Sequence, residues 1–184
     1  MGKRSDFERV ERDYYRTFDP KAGAAIKPFL PQNGNYTYAE PFCGRGDLIA
    51  QLEGKCNFAS DIEPDIQNKV TETHFQTKSF LDVTEEDLKN CSMVITNPPW
   101  DRKILHPTIE HFANMKPTWL LFDSNWMFTK QSIPYIEKYC VEIVTIGRMI
   151  WVENSRISGK DDSCWFLFDK NKKGDGVNFT PRRL

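Results

Sequence analysis

The stretch VITNPPW, residues 94–100, joins an apolar, β-branched run to an amide, two prolines and a tryptophan. The run is typical of a buried strand, and the strand must stop here because neither Pro98 nor Pro99 can donate to a sheet ladder. A turn followed by a helix would explain the prolines. It would not explain a polar amide at the end of the strand with an aromatic ring three residues later. We therefore interpret residues 97–100 as a functional site as well as a turn.

The chain on both sides of this stretch alternates between strand and helix patterns. Strands are predicted at residues 36–41, 56–60, 74–78, 91–96 and 118–122, and helices at 6–16, 20–30, 46–52, 63–69, 107–115 and 133–138. Two β-rich runs, 141–152 and 163–168, follow with no room for a helix between them, and so predict an antiparallel hairpin. Together these patterns predict an α/β fold of three layers, with a doubly wound, mainly parallel sheet that ends in an antiparallel hairpin.

Length and composition indicate one globular domain. The chain has 184 residues, of which 39% are hydrophobic and 28% charged, which suits a single core. We expect one domain without a separate target-recognition domain, made of an N-terminal helical segment (1–34), a catalytic core (35–169) and a basic tail (170–184). Five widely spaced cysteines predict buried, reduced thiols and no metal site. No apolar run reaches the length of a membrane span and no signal peptide is visible, so we expect a cytoplasmic protein.

Net charge does not identify the partner of this protein. The formal net charge is −1 and the sequence pI is about 6.3, whereas a protein that binds phosphates usually has a basic balance. Basic residues cluster at the two ends of the chain, where such runs are more often solvated tails than binding patches.

The segment that follows the first predicted strand, EPFCGRG at residues 40–46, has the features of a ligand-binding loop. In open sheets of this kind the ligand lies beyond the carboxyl ends of the strands. Gly44 and Gly46 would let the backbone turn tightly and approach a ligand. The carboxylate of Glu40 would repel a diphosphate, so a cationic ligand suits the loop better. An ordinary strand–helix turn remains the alternative.

Carboxylates also follow the second and third predicted strands. Asp61 lies 21 positions after Glu40, where an acidic residue commonly holds a ribose diol. The apolar pair Phe80-Leu81 followed by Asp82 could hold an adenine ring and accept a hydrogen bond from its amine. An exposed loop aspartate is an equally good interpretation of Asp82 by itself.

Taken together, these motifs resemble the class I S-adenosylmethionine-dependent methyltransferases, and specifically the group that modifies N6 of adenine. Residues 40–46 resemble that family's acidic-Pro-Phe-x-Gly-x-Gly loop, and Asn97-Pro98-Pro99-Trp100 resembles its catalytic (Asp/Asn/Ser)-Pro-Pro-aromatic motif. Residues 15–20 more weakly resemble the segment that helps to close over the cofactor. The resemblance implies S-adenosyl-L-methionine as cofactor, held by Glu40, Pro41, Phe42, Gly44, Gly46, Asp61, Ile62, Asp82 and Asn97. It also implies that Asn97, Pro98, Pro99 and Trp100 are catalytic.

The function implied by the resemblance is methyl transfer to N6 of adenine in nucleic acid, with DNA favoured over RNA. Asn97 Oδ1 and the Pro98 carbonyl would accept the two amino hydrogens, and Trp100 would stack on the base. Further substrate contacts are expected from Trp126, Arg102, Arg148 and Arg156. Only fifteen residues follow Asp169, so either loops or a protein partner would recognise the target, or the substrate is not duplex DNA. The compact size would fit a phage enzyme.

Two other functions remain open at this point. The same acceptor pair could hold a protein glutamine amide, which would make the chain a glutamine N-methyltransferase. Alternatively, the chain could be a non-catalytic subunit with a methyltransferase fold.

Overall fold

The structure, a computed structural model, describes residues 15–63 and 74–182. Eight strands lie within these ranges: β1 Thr37–Glu40, β2 Lys55–Asp61, β3 His74–Thr77, β4 Met93–Thr96, β5 Thr118–Asp123, β6 Cys140–Arg148, β7 Asp162–Phe168 and β8 Asn178–Thr180. The α-helices of the described residues are α1 Lys21–Ile26, α2 Arg102–Ala113 and α3 Ile133–Tyr139.

All eight strands belong to one sheet, in the order β3-β2-β1-β4-β5-β7-β6-β8. The first five strands of that order pair in parallel, and β7 is antiparallel to both β5 and β6. The predicted fold class, a mainly parallel sheet ending in an antiparallel hairpin, is therefore confirmed. Because β7 is antiparallel to both of its neighbours, β6 runs parallel to β5. The carboxyl end of β6 therefore lies at the same sheet edge as the ends of β1, β2 and β4.

Both faces of the sheet are covered, as the alternating contacts of β5 demonstrate. Trp119 and Leu121 belong to the core cluster that includes α1, whereas Leu120 and Phe122 belong to the cluster of α2 and α3. This period of two is the normal consequence of strand geometry. On the α1 face, the indole N–H of Trp165 donates to the carbonyl of Ala22 at 2.9 Å, which attaches α1 to the hairpin.

Several predicted elements have different bounds in the structure. The predicted helix 46–52 is wrong, because turns and a short 3₁₀ helix, Ile49–Gln51, occupy that segment. Helix α2 begins at Arg102, earlier than predicted, because the side chain of Asp101 caps it by accepting from the Lys103 N–H at 2.9 Å. Pro107, the predicted first residue, lies inside the helix. The predicted helices 6–16 and 63–69 lie almost wholly outside the described residues.

The segment predicted as a basic tail contributes an eighth strand. β8 pairs in parallel with β6, with Glu142 opposite Asn178 and Val144 opposite Thr180. Three residues of mixed polarity carry too weak a periodic pattern to predict a strand.

All five cysteines are buried and free, as expected for buried thiols. Within residues 15–63 and 74–182, no helix is long and apolar enough to cross a membrane. The same part of the chain contains no group of three or more His, Cys, Asp or Glu side chains that could hold a metal ion.

Candidate active site

The structure brings the predicted cofactor and catalytic residues to one edge of the sheet. Glu40 is the last residue of β1, Asp61 is the last residue of β2, and Asn97 directly follows β4. These three strands are adjacent and parallel, so their carboxyl ends meet. The site is therefore a direct consequence of strand order.

The glycine loop is anchored to the neighbouring strand β2. Gly44 and Gly46 have φ angles of 48° and 75°, in the left-handed region that glycine adopts without strain. The Gly44 N–H donates to Asp61 Oδ2 at 2.9 Å, and Asp61 Oδ1 accepts from the Glu63 N–H at 3.2 Å. Asp61 thus shapes the loop, and its carboxylate keeps lone pairs for further donors.

Glu40 is a buried carboxyl group with an unsatisfied oxygen. Glu40 is 2% exposed, and no group among the described residues forms a hydrogen bond with its Oε2. Burial raises the pKa of Glu40 well above its ordinary value, and the charges of Asp61 and Asp47 raise it further. A cationic ligand at this position would stabilise the carboxylate, which makes Glu40 a natural counter-ion for such a ligand.

An apolar surface lies beside the ends of β2 and β3. Phe42 packs against Phe80 with ring centroids 5.2 Å apart. Ile62, a predicted cofactor contact, and Leu81 are 54% and 58% exposed, so both aliphatic side chains are available to a ligand. With the exposed Asp82 next to them, they can cover a flat aromatic ring and accept from its amine.

The side-chain amide of Asn97 is held in one orientation. Its Nδ2 donates to Thr17 Oγ1 at 3.0 Å and to the Tyr15 carbonyl at 3.3 Å, and its Oδ1 accepts from Trp100 Nε1 at 3.2 Å. A carbonyl can only accept and an indole N–H can only donate, so the contacts on both sides fix the same amide orientation. Oδ1 keeps a second lone pair for a ligand.

Residues 15–19, here called the N-terminal strap, connect Asn97 to the glycine loop and to the loop after β6. Arg16 forms a two-pronged ion pair with Asp47, at 2.7 and 2.9 Å, and reaches Glu153 at 2.5 Å. The hydrogen bond to Asp47 raises the pKa of the Arg16 guanidinium. Asp19 Oδ2 accepts from the Ile150 N–H at 2.8 Å. The strap therefore contacts the loops that follow β1, β4 and β6.

An aromatic group borders Asn97. The rings of Trp100 and Trp151 meet edge to face, with centroids 5.3 Å apart, and Tyr15 contacts Trp151 at 6.5 Å. Trp151 is half-buried and also packs against the core cluster that includes α1. The signal that identifies Trp151 is topological, because it follows β6, whose carboxyl end lies at the site edge.

The prediction that Trp126 is an exposed substrate contact is wrong. Trp126 is 4% exposed and packs in the core beside Phe122 and Phe166, and its Nε1 donates to His106 Nε2 at 3.0 Å. Its neighbour Phe128 is 80% exposed instead. The short 3₁₀ helix Ser124–Phe128 sets which ring faces inward.

The three arginines predicted to contact substrate are exposed, and the structure places them on three different segments. Arg102 begins α2, Arg148 ends β6 and Arg156 lies in the following loop. Arg102 Nη1 donates to Gln131 Oε1 at 2.8 Å. Whether any of them contacts substrate stays a prediction.

No protein-family model and no curated protein sequence matches this chain. Solved structures do match. A protein from Pyrococcus horikoshii, named as a candidate RNA methyltransferase, superposes with a TM-score of 0.62 at 13% identity, over 91% of this chain and 93% of that one. A methyltransferase subunit of a type I restriction-modification system from Streptococcus thermophilus gives 0.59 at 12% identity, over 98% of this chain and 48% of that one.

A third solved structure is named as a candidate class I S-adenosylmethionine-dependent methyltransferase from Listeria monocytogenes. It gives a TM-score of 0.56 at 10% identity, over 86% of this chain and 62% of that one. This chain therefore has the Rossmann-like fold of methyltransferases. It spans about half of the Streptococcus subunit and less than two thirds of the Listeria protein.

Proposed function

We propose that this protein is an S-adenosylmethionine-dependent methyltransferase that modifies the N6 amino group of adenine in nucleic acid, DNA more than RNA. The observation that carries the proposal is the oriented amide of Asn97, with Oδ1 directed away from the strap. The names of the structural neighbours, which include RNA and restriction-modification methyltransferases, support this choice of substrate class.

The residues at the strand ends fit the proposed cofactor. Glu40 offers a buried carboxyl oxygen without a partner among the described residues, suited to a positive charge. Asp61 offers acceptors for a ribose diol, and Ile62, Leu81 and Asp82 offer a surface for an adenine ring. When bound, S-adenosylmethionine supplies an electrophilic methyl group. The protein's own residues hold the cofactor and orient the amino group that accepts the methyl group.

Orientation of the acceptor amine is the chemical task of Asn97 and Pro98. The exocyclic nitrogen of adenine is a poor nucleophile because its lone pair is delocalised into the ring. Asn97 Oδ1 and the Pro98 carbonyl, which receives no hydrogen bond from the described residues, can each accept one amino hydrogen. The nitrogen is then held closer to tetrahedral geometry, and two fixed dipoles favour the positive charge that develops on it. No general base is required.

Thr17 acts in this proposal as a positioning residue. Thr17→Val should lower kcat about tenfold, because the amide of Asn97 loses one of the two acceptors that orient it, a cost comparable to one hydrogen bond. KM for the cofactor should change less than kcat. Steady-state kinetics with saturating nucleic acid measures both values.

Thr17→Ser is the matched control, since it keeps the hydroxyl and should restore most of kcat. If the serine variant, which keeps the hydroxyl, loses as much activity as the valine variant, the hydroxyl does not account for the loss, and the positioning role is wrong.

Transfer of a radiolabelled methyl group to separate pools of DNA, RNA and protein tests the substrate class. We expect label in DNA, and less in RNA. Label in protein alone would favour glutamine-amide methylation, which the same acceptor pair could support because a glutamine amide is also a planar nitrogen with two hydrogens. Calorimetry that finds no cofactor binding would favour a non-catalytic subunit instead.

Target recognition in this proposal comes from loops at the site edge or from a protein partner. The Streptococcus neighbour is named as a subunit of a larger system, and by analogy a partner subunit could contribute specificity here. Size-exclusion chromatography of the protein from its native cell extract measures whether it travels alone or in a complex.

A further inference from the structure

Phe128 is an exposed aromatic side chain at the functional edge of the sheet. It ends the 3₁₀ helix Ser124–Phe128, which directly follows β5, the strand next to β4 and Asn97. Its exposure of 80% is the highest among the large hydrophobic residues that the structure describes. An apolar ring at such a position gains little from packing in the core and is available for a contact with a ligand.

Hydrogen bonds within the loop that carries Phe128 hold its backbone in place. The Thr129 hydroxyl donates to the Trp126 carbonyl at 2.9 Å, and the buried Ser132 hydroxyl donates to the Thr129 carbonyl at 2.7 Å. The Trp126 ring, on the inner side, is anchored in the core. The backbone on both sides of Phe128 is therefore fixed, and the ring is presented outward by a defined structure.

Cationic side chains lie on the same part of the surface. Arg102 is hydrogen-bonded to Gln131, three residues after Phe128, and Lys130 is exposed between them in sequence. Within the described residues, no carboxylate lies at ion-pair distance from Arg102 or Lys130. An aromatic ring next to cations that form no ion pair is a combination that binds unpaired nucleotides, through base stacking and phosphate contact. The carboxylate of Asp123 interacts with Arg102 at longer range.

We propose that Phe128 stacks on an unpaired nucleobase that neighbours the target base, while Arg102 and Lys130 contact the adjoining phosphates. This inference rests on the proposed function and adds a substrate contact to it. A protein surface would fit the same place only if it carried acidic side chains opposite Arg102 and Lys130. The contact predicts a preference for single-stranded or locally opened nucleic acid.

Binding of a short fluorescein-labelled single-stranded oligonucleotide, followed by fluorescence anisotropy, tests the inference. Phe128→Ala should raise Kd about tenfold, as expected for the loss of one stacked base. Phe128→Trp should retain or improve binding. The matched control is Phe179→Ala, which removes another exposed phenylalanine, 59% exposed, from β8 at the far edge of the sheet, and it should bind as the wild type does.

The salt dependence of binding separates stacking from phosphate contact. Phe128→Ala should keep the wild-type slope of log K against log salt, whereas Arg102→Gln should reduce the magnitude of that slope by about 0.7, as expected for one lost phosphate contact on a single strand. Cofactor affinity should be the same in all these variants. The inference is overturned if Phe128→Ala binds the oligonucleotide like wild type, or if Phe179→Ala loses as much.

The same experiment distinguishes failure of this contact from failure of the proposed function. If wild-type protein binds and methylates nucleic acid but Phe128→Ala does so equally well, only the stacking contact is wrong. If wild-type protein binds cofactor but neither binds nor methylates any nucleic acid, the proposed function is wrong and the inference falls with it.

Discussion

Asn97→Ala should lower the rate of methyl transfer by about a hundredfold or more, comparable to the loss of one preorganised hydrogen-bonding group in other active sites. The variant loses the Oδ1 acceptor that we propose for the amino group, and with it the contacts to Thr17, Tyr15 and Trp100. Cofactor affinity should stay within about threefold of wild type, because the proposed cofactor contacts are dominated by the ends of β1 and β2. Single-turnover kinetics and calorimetry measure the two quantities.

Asn97→Asp is the sharper companion variant. It keeps an oxygen beside Trp100 but replaces Nδ2 by a second oxygen, which would face the Tyr15 carbonyl and could no longer donate to it. We expect the strap to be displaced and activity to fall, although the new side chain is nearly isosteric. Wild-type turnover in the Asn97→Ala variant would contradict the proposal that Asn97 orients the amino group.

Glu40→Gln should weaken cofactor binding by about thirtyfold or more, as expected when one partner of a buried charge pair is removed. The same substitution should stabilise the cofactor-free protein at neutral pH. Glu40 is buried with an unsatisfied oxygen, and glutamine removes the cost of holding a carboxylate there. A gain in stability joined to a loss of binding is the mark of a residue kept for function.

The raised pKa of Glu40 predicts how the gain in stability and the loss of cofactor binding in Glu40→Gln change with pH. Burial, together with Asp61 and Asp47, raises the pKa of folded Glu40 above its ordinary value of 4.5. Its contribution to stability is therefore fully present below that value and is lost as the pH rises through the folded pKa. The melting temperature of Glu40→Gln minus that of wild type should grow over this interval. Over the same interval, cofactor affinity of wild type should rise, because a cation binds the ionised carboxylate.

Thermal unfolding and calorimetry across this pH interval measure both trends, and Glu85→Gln is the matched control. Glu85 is an exposed carboxylate in the turn after Thr84, and its replacement should change neither stability nor binding appreciably. A Glu40→Gln protein that binds cofactor like wild type at every pH would exclude Glu40 as the counter-ion.

The assembly of the site could be predicted because it follows from strand order. The apolar runs of β1, β2 and β4 end at Glu40, Asp61 and Asn97, and parallel pairing alone brings their carboxyl ends together. The glycines at 44 and 46 likewise marked a turn, since both adopt left-handed backbone angles. That same turn prevented the helix that was predicted to begin at Gly46.

The contacts that orient Asn97 could not be predicted from sequence. Its amide partners, Tyr15 and Thr17, lie 82 and 80 residues away along the chain, and no local pattern encodes such a pairing. The burial of Trp126 and the exposure of Phe128 could not be predicted for a different reason. Which ring of a short 3₁₀ helix faces the core depends on the direction in which β5 ends, and periodicity does not report this over five residues.

The chemical identity of the methylated atom is the most direct test of the proposed function. Wild-type protein and Asn97→Ala would each be incubated with adenine-containing DNA and a cofactor that carries a deuterated methyl group, and the digested nucleosides analysed by mass spectrometry. The expected result is deuterated N6-methyldeoxyadenosine with wild type and almost none with the variant. Wild-type protein that binds the cofactor but leaves every nucleoside unlabelled, or labels an atom other than N6, would contradict it.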